Sequence, residues 1–333
     1  MKRIYQPEGQ LLQTTRNREL TESIAGLRRA METGAIIEGM ALVCDKSFSL
    51  LVEFPLLSGV RGVIPREEVA WMRDGTPIRD IAILTRVGKP VACKVIDIRT
   101  LPANGTDRMT SETIVILSRR EAQKECVCCY LDGLRAGDII RARVTHLENF
   151  GAFADIGCGV TSLLSVDSIS VSRIAHPRDR LYNGQLLWAV VRQVDEAGRI
   201  FLSTRELLGT WEENASQFLP GQTVAGIVRS VEDYGVFVEL APNLAGLAEL
   251  REEDRALATS LVGRTATVFI KSIIPERMKI KLVLIDAWHG ESVPAGQMRY
   301  YITGEDAEHM DRWTYSPVGA RKRVETIFSM DKI

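Results

Sequence analysis

The sequence predicts a mainly β protein of three small barrels in tandem, joined by short helices. Short runs rich in Val, Ile, Leu and Phe recur at close spacing with turn residues between them, which is typical of small barrels. Stretches with helical periodicity separate these regions. A Phe-Gly-Ala-Phe motif at 150–153 returns as Tyr-Gly-Val-Phe at 234–237, an offset of 234 − 150 = 84 residues, which indicates an array of similar units.

The composition is that of a globular protein. The chain has 333 residues, 45% of them apolar and 26% charged, a length that suits three small domains. No run approaches the roughly 18 apolar residues that a membrane helix needs, and the first residues lack the apolar stretch of a secretory signal. We therefore expect a cytoplasmic protein without a membrane partner. The net charge of −1 neither indicates nor excludes a nucleic-acid partner.

The chain divides in order into barrels, linkers and two flanking segments. We expect an N-terminal arm and helix at 1–34, a degenerate barrel at 35–120, a helical linker at 121–134, a barrel at 135–203, a second helical linker at 204–220, a barrel at 221–285 and a small β-containing tail at 286–333. The second and third barrels align without a gap from Gly137 and Gly221 through both aromatic motifs.

The N-terminal segment combines an irregular stretch with one helix. Residues 1–16 show no periodicity, so we expect a mobile arm there. Leu20, Ile24, Leu27 and Met31 then follow at helical spacing, and Gly34 is placed to end the helix. Its apolar stripe suits packing on the first barrel or docking on another protein.

No catalytic motif is found. The sequence lacks a phosphate-binding loop, a Gly-x-Ser-x-Gly elbow and a His-Glu-x-x-His pair, and its four histidines are far apart. Cys126 and Cys129 have Cys-x-x-Cys spacing, but no second pair completes a zinc site. We interpret both as small core residues on the buried face of the linker helix. We expect no enzyme activity, no metal site and no cofactor.

The aromatic motifs have two interpretations. The rings can be ordinary core residues of a barrel. Alternation along a strand would, however, place residues i and i+3 on opposite faces unless the glycine introduces a bulge. A bulge would bring both rings to the outer face, where they could stack on bases.

The second and third units resemble the S1 RNA-binding domain, an OB-fold family of five-stranded barrels. The resemblance rests on the two aromatic motifs, on 194–203 in the second unit and 244–247 in the third, and on the linker 209–215. The first unit is a weaker match, through 62–66 and 117–120. The resemblance extends over residues 35–285, and bacterial ribosomal-protein homologues with several such domains share it.

The resemblance implies an RNA-binding face with a graded set of residues. The second unit supplies Phe150, Phe153, Asp195 and Arg199, and Ser165 stands where the family has a His. The third unit supplies Tyr234, Phe237 and Lys279, with Glu249 in place of the His and Ile274 or Pro275 in place of the Asp. The first unit retains only Phe48, with Leu51 at the position of the second aromatic residue and Pro65 at that of the His. Arg143, Arg192 and Lys271 are further candidates for contacts to the RNA backbone.

The function expected from this resemblance is binding of single-stranded RNA, with mRNA near the ribosome as the partner. Residues 135–205 carry nine Lys and Arg against seven Asp and Glu, so each barrel should bind weakly and tethering should supply affinity. The alternative is a docking scaffold, in which the first barrel and the N-terminal helix bind a protein such as the small ribosomal subunit.

Overall fold

Each β-rich region forms a closed five-stranded barrel in this computed structural model, which describes residues 5–101, 112–249, 259–287 and 298–328. The first barrel contains β1 (Ile37–Cys44), β2 (Leu50–Glu53), β3 (Val60–Ile64), β4 (Lys89–Leu101) and β5 (Glu112–Ser118). The strands follow the order β1-β2-β3-β5-β4, and β3 runs parallel to β5.

The second and third barrels repeat this topology. The second contains β6 (Ile139–Glu148), β7 (Gly151–Asp155), β8 (Thr161–Ser165), β9 (Leu186–Val194) and β10 (Ile200–Ser203); the third contains β11 (Thr223–Glu232), β12 (Gly235–Ala241), β13 (Leu244–Ala248), β14 (Thr265–Ile274) and β15 (Lys279–Ala287). Both have the same single parallel contact, between β8 and β10 and between β13 and β15. The predicted fold class, three tandem OB barrels joined by short helices, is confirmed.

Alternation along the strands separates core from surface. In β12, Val236 and Val238 are fully buried in the barrel, whereas Phe237 and Glu239 point away from it. This alternation places the second ring of the motif on the outer face.

The helices differ from the prediction in detail. They are α1 (Thr15–Thr21), α2 (Ile24–Thr33), α3 (Asp80–Leu84), α4 (Arg119–Cys129) and α5 (Trp211–Ala215). The predicted N-terminal helix is two helices, because Ser23 adopts an extended conformation and caps α2 through its hydroxyl group. Gly34 ends α2 in the left-handed conformation, as predicted. Leu27 and Ala30 of α2 are buried against the first barrel.

By its internal contacts the chain falls into two units, Met1–Leu134 with Asp155–Thr161 and Arg135–Ala154 with Ser162–Ile333. In the first unit, the expectation of a mobile arm is wrong for the residues that the structure describes. The Glu38 carboxylate accepts backbone N–H groups of Gly9, Leu11 and Leu12 at 2.7–3.0 Å. Burial nevertheless raises the pKa of Glu38 to about 7.

A buried ionic cluster also holds the arm. Glu8 accepts from Arg119 Nε at 2.6 Å and lies 3.5 Å from Arg86, and its own N–H donates to Asp155 at 2.7 Å. Arg119 also donates to the carbonyl of Val69 at 3.0 Å. The cluster therefore joins the arm, α4 and the first barrel.

The cysteine interpretation is correct for one residue and wrong for the other. Cys126 is buried, but Cys129 is exposed because it occupies the last position of α4. Among the described residues, no group of three or more His, Cys, Asp or Glu side chains is arranged to hold a metal ion. No helix in the described ranges is long and apolar enough to cross a membrane.

The tail contributes to the core of the second unit. Its strands β16 (Arg312–Thr314) and β17 (Glu325–Ile327) form a two-stranded sheet. Trp313 and Tyr315 belong to the same buried cluster as Trp211 of α5 and Val228 of the third barrel. Residues 298–302 of the tail are irregular.

Candidate nucleic-acid interface

The motif of the second barrel presents two rings in contact on its surface. Phe150 lies in the turn before β7 and is 54% exposed, and Phe153 is the third residue of the strand. Their centroids are 6.0 Å apart and their planes are inclined at 88°, an edge-to-face pair. Because Phe150 precedes the strand, the alternation of side chains along β7 does not separate its ring from that of Phe153.

The third barrel repeats this arrangement closely. Tyr234 lies in the turn before β12 and is 63% exposed, and Phe237 is partly buried. The two rings form an edge-to-face pair with centroids 6.2 Å apart and an angle of 88°. The sequence repeat therefore encodes a repeated three-dimensional feature.

The glycine between the rings is required by a neighbouring strand. A Cβ atom on Gly151 would lie 2.5 Å from the carbonyl oxygen of Leu164, and one on Gly235 would lie 2.5 Å from that of Ala248. Any side chain at these positions would push the adjacent strand away. A glycine inside a strand indicates either a bulge or the close approach of another backbone. Here the glycine of each ring pair allows the close approach of the neighbouring strand.

Asp195 and Arg199 are joined at the β9–β10 hairpin. The Asp195 carboxylate accepts the backbone N–H of Arg199 at 2.8 Å and its Nε at 2.7 Å. The backbone N–H of Arg199 is the main cause that lowers the pKa of Asp195. The Arg199 side chain remains largely exposed. Asp195 therefore orients a cation that stays accessible to a phosphate group.

Ser165 stands at the end of β8 and takes part in a polar network. Its hydroxyl group donates to Ser168 Oγ at 2.9 Å, and Arg192 also donates to Ser168 Oγ. Arg192 lies 3.6 Å from Asp167, whose pKa is lowered chiefly by the Ser165 hydroxyl group. The Arg192 guanidinium therefore lies between Ser168 and Asp167.

The lysines of the third barrel lie beside its ring pair. Phe237 pairs with Leu247 across β12 and β13, and Leu247 pairs with Lys281 across β13 and β15. Lys279 precedes Lys281 by two residues and shares its face. Lys271 is exposed at an irregularity of β14.

The sequence analysis did not include Lys281 among the candidate RNA-binding residues. Its spacing of two residues from Lys279 in a strand indicates that both side chains lie on the same face. The matching position in the second barrel is Phe201, which pairs with Leu163. Glu249 is exposed directly after β13, so it adds a negative charge at the end of the strand that pairs with the Phe237 strand.

The described residues of the first barrel form no ring pair of this kind. Phe48 adopts a positive φ of 60°, and the Arg66 guanidinium lies over its ring, 4.9 Å from the centroid. Arg66 in turn forms an ion pair with Asp80. Leu51 replaces the second ring, so this face offers no open aromatic pair.

These features define a class of protein. Small OB barrels that expose aromatic side chains next to fixed cations are the architecture of modules for single-stranded nucleic acids. The structure brings Phe150 and Phe153 together, and likewise Tyr234 and Phe237.

Comparison with known protein families finds a match to the second barrel. Residues 134–205 match the model described as the S1 RNA binding domain. The second barrel therefore matches the S1 RNA-binding domain, and the chain resembles bacterial S1 ribosomal proteins.

Curated relatives extend this likeness beyond one barrel. Small ribosomal subunit protein bS1 of Rhizobium meliloti is 27% identical over 89% of this chain and 52% of its own length. The bS1 homolog of Bacillus cereus is 30% identical over 75% of this chain and 64% of its own length. That of Leuconostoc lactis is 32% identical over 59% of this chain and 43% of its own. The chain thus spans roughly half the length of these relatives.

A solved structure of a multidomain protein with nucleic acid binding domains from Streptococcus pneumoniae also matches. It is 17% identical, with a TM-score of 0.24, and the match covers 76% of this chain and 73% of the other.

Proposed function

We propose that this protein binds single-stranded RNA and engages mRNA during translation, in the manner of the bS1 proteins that it resembles. The observation that carries the proposal is the repeated, solvent-exposed edge-to-face ring pair on two OB barrels. Each base stacked on an aromatic side chain contributes about 1–3 kcal/mol. A role in translation would place the protein in the cytoplasm, with the small ribosomal subunit as a partner.

The proposed binding face is strongest on the second barrel. There, stacking on Phe150 and Phe153 would be combined with a phosphate contact from Arg199. On the third barrel, Tyr234 and Phe237 would act with Lys279. Because stacking tolerates any base, we expect only a slight sequence preference. The mechanism is binding alone and requires neither a cofactor nor a catalytic group.

A docking role for the first barrel is a second candidate. One observation favours it: Leu42, Val43, Ile81 and Leu84 are exposed apolar side chains on β1 and α3. The helix α2 is less suited to docking than its sequence suggests, because Ile24, Leu27 and Ala30 already pack on the barrel and Met31 alone of its predicted stripe is exposed. This role concerns a different surface and is compatible with RNA binding elsewhere.

Strand selectivity tests the proposed function. We expect the full-length protein to bind a labelled RNA of about 20 nucleotides at least about fivefold more tightly than the same RNA annealed to its complement, because only unpaired bases can stack on the rings. Fluorescence anisotropy at about 50 and 200 mM salt measures both affinities. Equal affinity for the two forms, or a salt dependence that accounts for all binding, would contradict the proposal.

A further inference from the structure

A loop of the second barrel reaches β12, the strand that carries Phe237 of the third barrel. This bridging loop, residues 177–185 between β8 and β9, carries Arg180, whose guanidinium donates to both carboxylate oxygens of Glu239, one of them at 2.8 Å. Both side chains are at least nine-tenths buried, with 6% and 4% of their surface exposed. A bidentate pair of this kind fixes both distance and orientation.

Glu239 lies immediately beside the third barrel's aromatic site. It follows Phe237 by two residues on β12 and points to the same outer face, so the two side chains leave the strand about 7 Å apart. Arg229 completes the cluster, with its Nε 2.7 Å from Glu239 and its Nη1 3.6 Å from Asp179. Burial alone would raise the pKa of Glu239, but Arg180 and Arg229 hold it below its ordinary value.

The other end of the bridging loop supports the second barrel's own face. The Gly184 carbonyl accepts from Arg143 Nε at 3.2 Å, and the Gly184 N–H donates to the carbonyl of Val144 at 2.7 Å. Arg143 is one of the candidate phosphate contacts of that barrel. The loop therefore contacts Arg143 of the second barrel and Glu239 of the third.

Between these two anchors the loop exposes an aromatic side chain. Tyr182 is 53% exposed, while its backbone N–H donates to Oε1 of the buried Gln185 at 3.1 Å. Arg178 on the same loop is also exposed. A fixed backbone with an outward-pointing ring is the arrangement expected of a base-stacking side chain.

Contacts outside the loop also hold the two barrels together. The N–H of Val171 in the second barrel donates to Asn243 Oδ1 of the third at 2.9 Å. Ser172 N–H donates to the carbonyl of Pro242 at 3.1 Å. The junction therefore does not depend on Arg180 alone.

We propose that the bridging loop joins the two aromatic sites into one continuous path for a single RNA strand, with Tyr182 stacking a base between them and the Arg180–Glu239 pair holding the loop in position. This proposal rests on the proposed function. It makes the ligand a single-stranded RNA long enough to span both barrels, and it replaces flexible tethering by a preorganised site, which lowers the entropic cost of binding.

The Tyr182 contact is tested by RNA length. In anisotropy titrations of the full-length protein, Tyr182→Ala should weaken binding of an RNA of about 20 nucleotides at least about fivefold, and leave an RNA of about 5 nucleotides, which fits one barrel, within about twofold. Tyr182→Phe keeps the ring and should bind both RNAs like the wild type. Unchanged affinity of Tyr182→Ala for the long RNA would overturn the proposal.

The positioning pair is tested by removing both charges. Arg180→Met with Glu239→Gln should reduce affinity for the long RNA, again without affecting the short one, whereas a general loss of structure would weaken both. Should that variant fail to fold, Tyr182→Ala still decides, because its side chain is exposed.

A parallel titration of Phe150→Ala with Phe153→Ala separates the two proposals. If this variant loses binding while Tyr182→Ala does not, the bridge is wrong and the proposed function stands. If neither variant changes binding of either RNA, both are wrong.

Discussion

Replacing Phe150 and Phe153 together with alanine should lower the affinity for a single-stranded RNA of about 20 nucleotides by about 10- to 100-fold. Each lost stack contributes about 1–3 kcal/mol, and a change of 1.4 kcal/mol is a factor of ten. We use the lower part of this free-energy range because the two rings contact each other, so their contributions to binding need not add. Anisotropy titration at constant salt measures the change.

Matched variants make this result specific. Tyr234→Ala with Phe237→Ala removes the equivalent pair and should have a smaller effect, since Ile274 or Pro275 stands in the third barrel where Asp195 stands in the second. Phe48→Ala, on the barrel where Arg66 covers the ring, should change RNA affinity less than twofold. Circular dichroism checks that each variant is folded. Equal losses in all three variants would contradict a graded site.

Replacing Glu8 with glutamine should destabilise the unit that contains the first barrel by about 3–5 kcal/mol. The substitution keeps the shape of the side chain but leaves the Arg119 and Arg86 guanidinium groups without their shared carboxylate. Arg119 is almost fully buried, so water cannot compensate the lost partner. Hydrogen exchange measured by mass spectrometry locates the effect, because peptides of this unit should lose protection while those of the other unit keep it.

The control is the same substitution at an exposed site. Glu19→Gln on α1 should change stability by less than about 0.5 kcal/mol, because its side chain lies at the surface. A Glu8→Gln variant as stable as Glu19→Gln would mean that the buried cluster does not hold the arm.

Patterns local in sequence predicted the barrels. Strands such as β8 and β13 alternate buried and outward residues, and the repeated motif indicates that the second and third barrels are alike. The arm and the tail were not predictable in the same way, because long-range contacts fix them. Glu8 and Arg119 lie 111 positions apart, and Tyr315 contacts Asn243 at a separation of 72. Neither contact leaves a periodic signal.

The candidate site was predictable to the extent that it repeats. The ring pairs are visible as a motif with a second copy, and the structure adds that the first ring of each belongs to a turn. Tyr182 occurs once, in an irregular loop, and only the folded structure shows that this loop contacts Glu239 of the third barrel through Arg180. For Cys129 the sequence predicted burial and the structure shows an exposed residue. Helical spacing cannot show where a helix ends relative to the core.

Photo-crosslinking tests the central claim most directly. Full-length protein is irradiated with a single-stranded RNA of about 20 nucleotides that carries 4-thiouridine, and the crosslinked peptides are identified by mass spectrometry. We expect crosslinks in peptides that contain 150–153 and 234–237, with the former more abundant. Crosslinks confined to peptides that contain neither motif would contradict an RNA-binding face built on the two ring pairs.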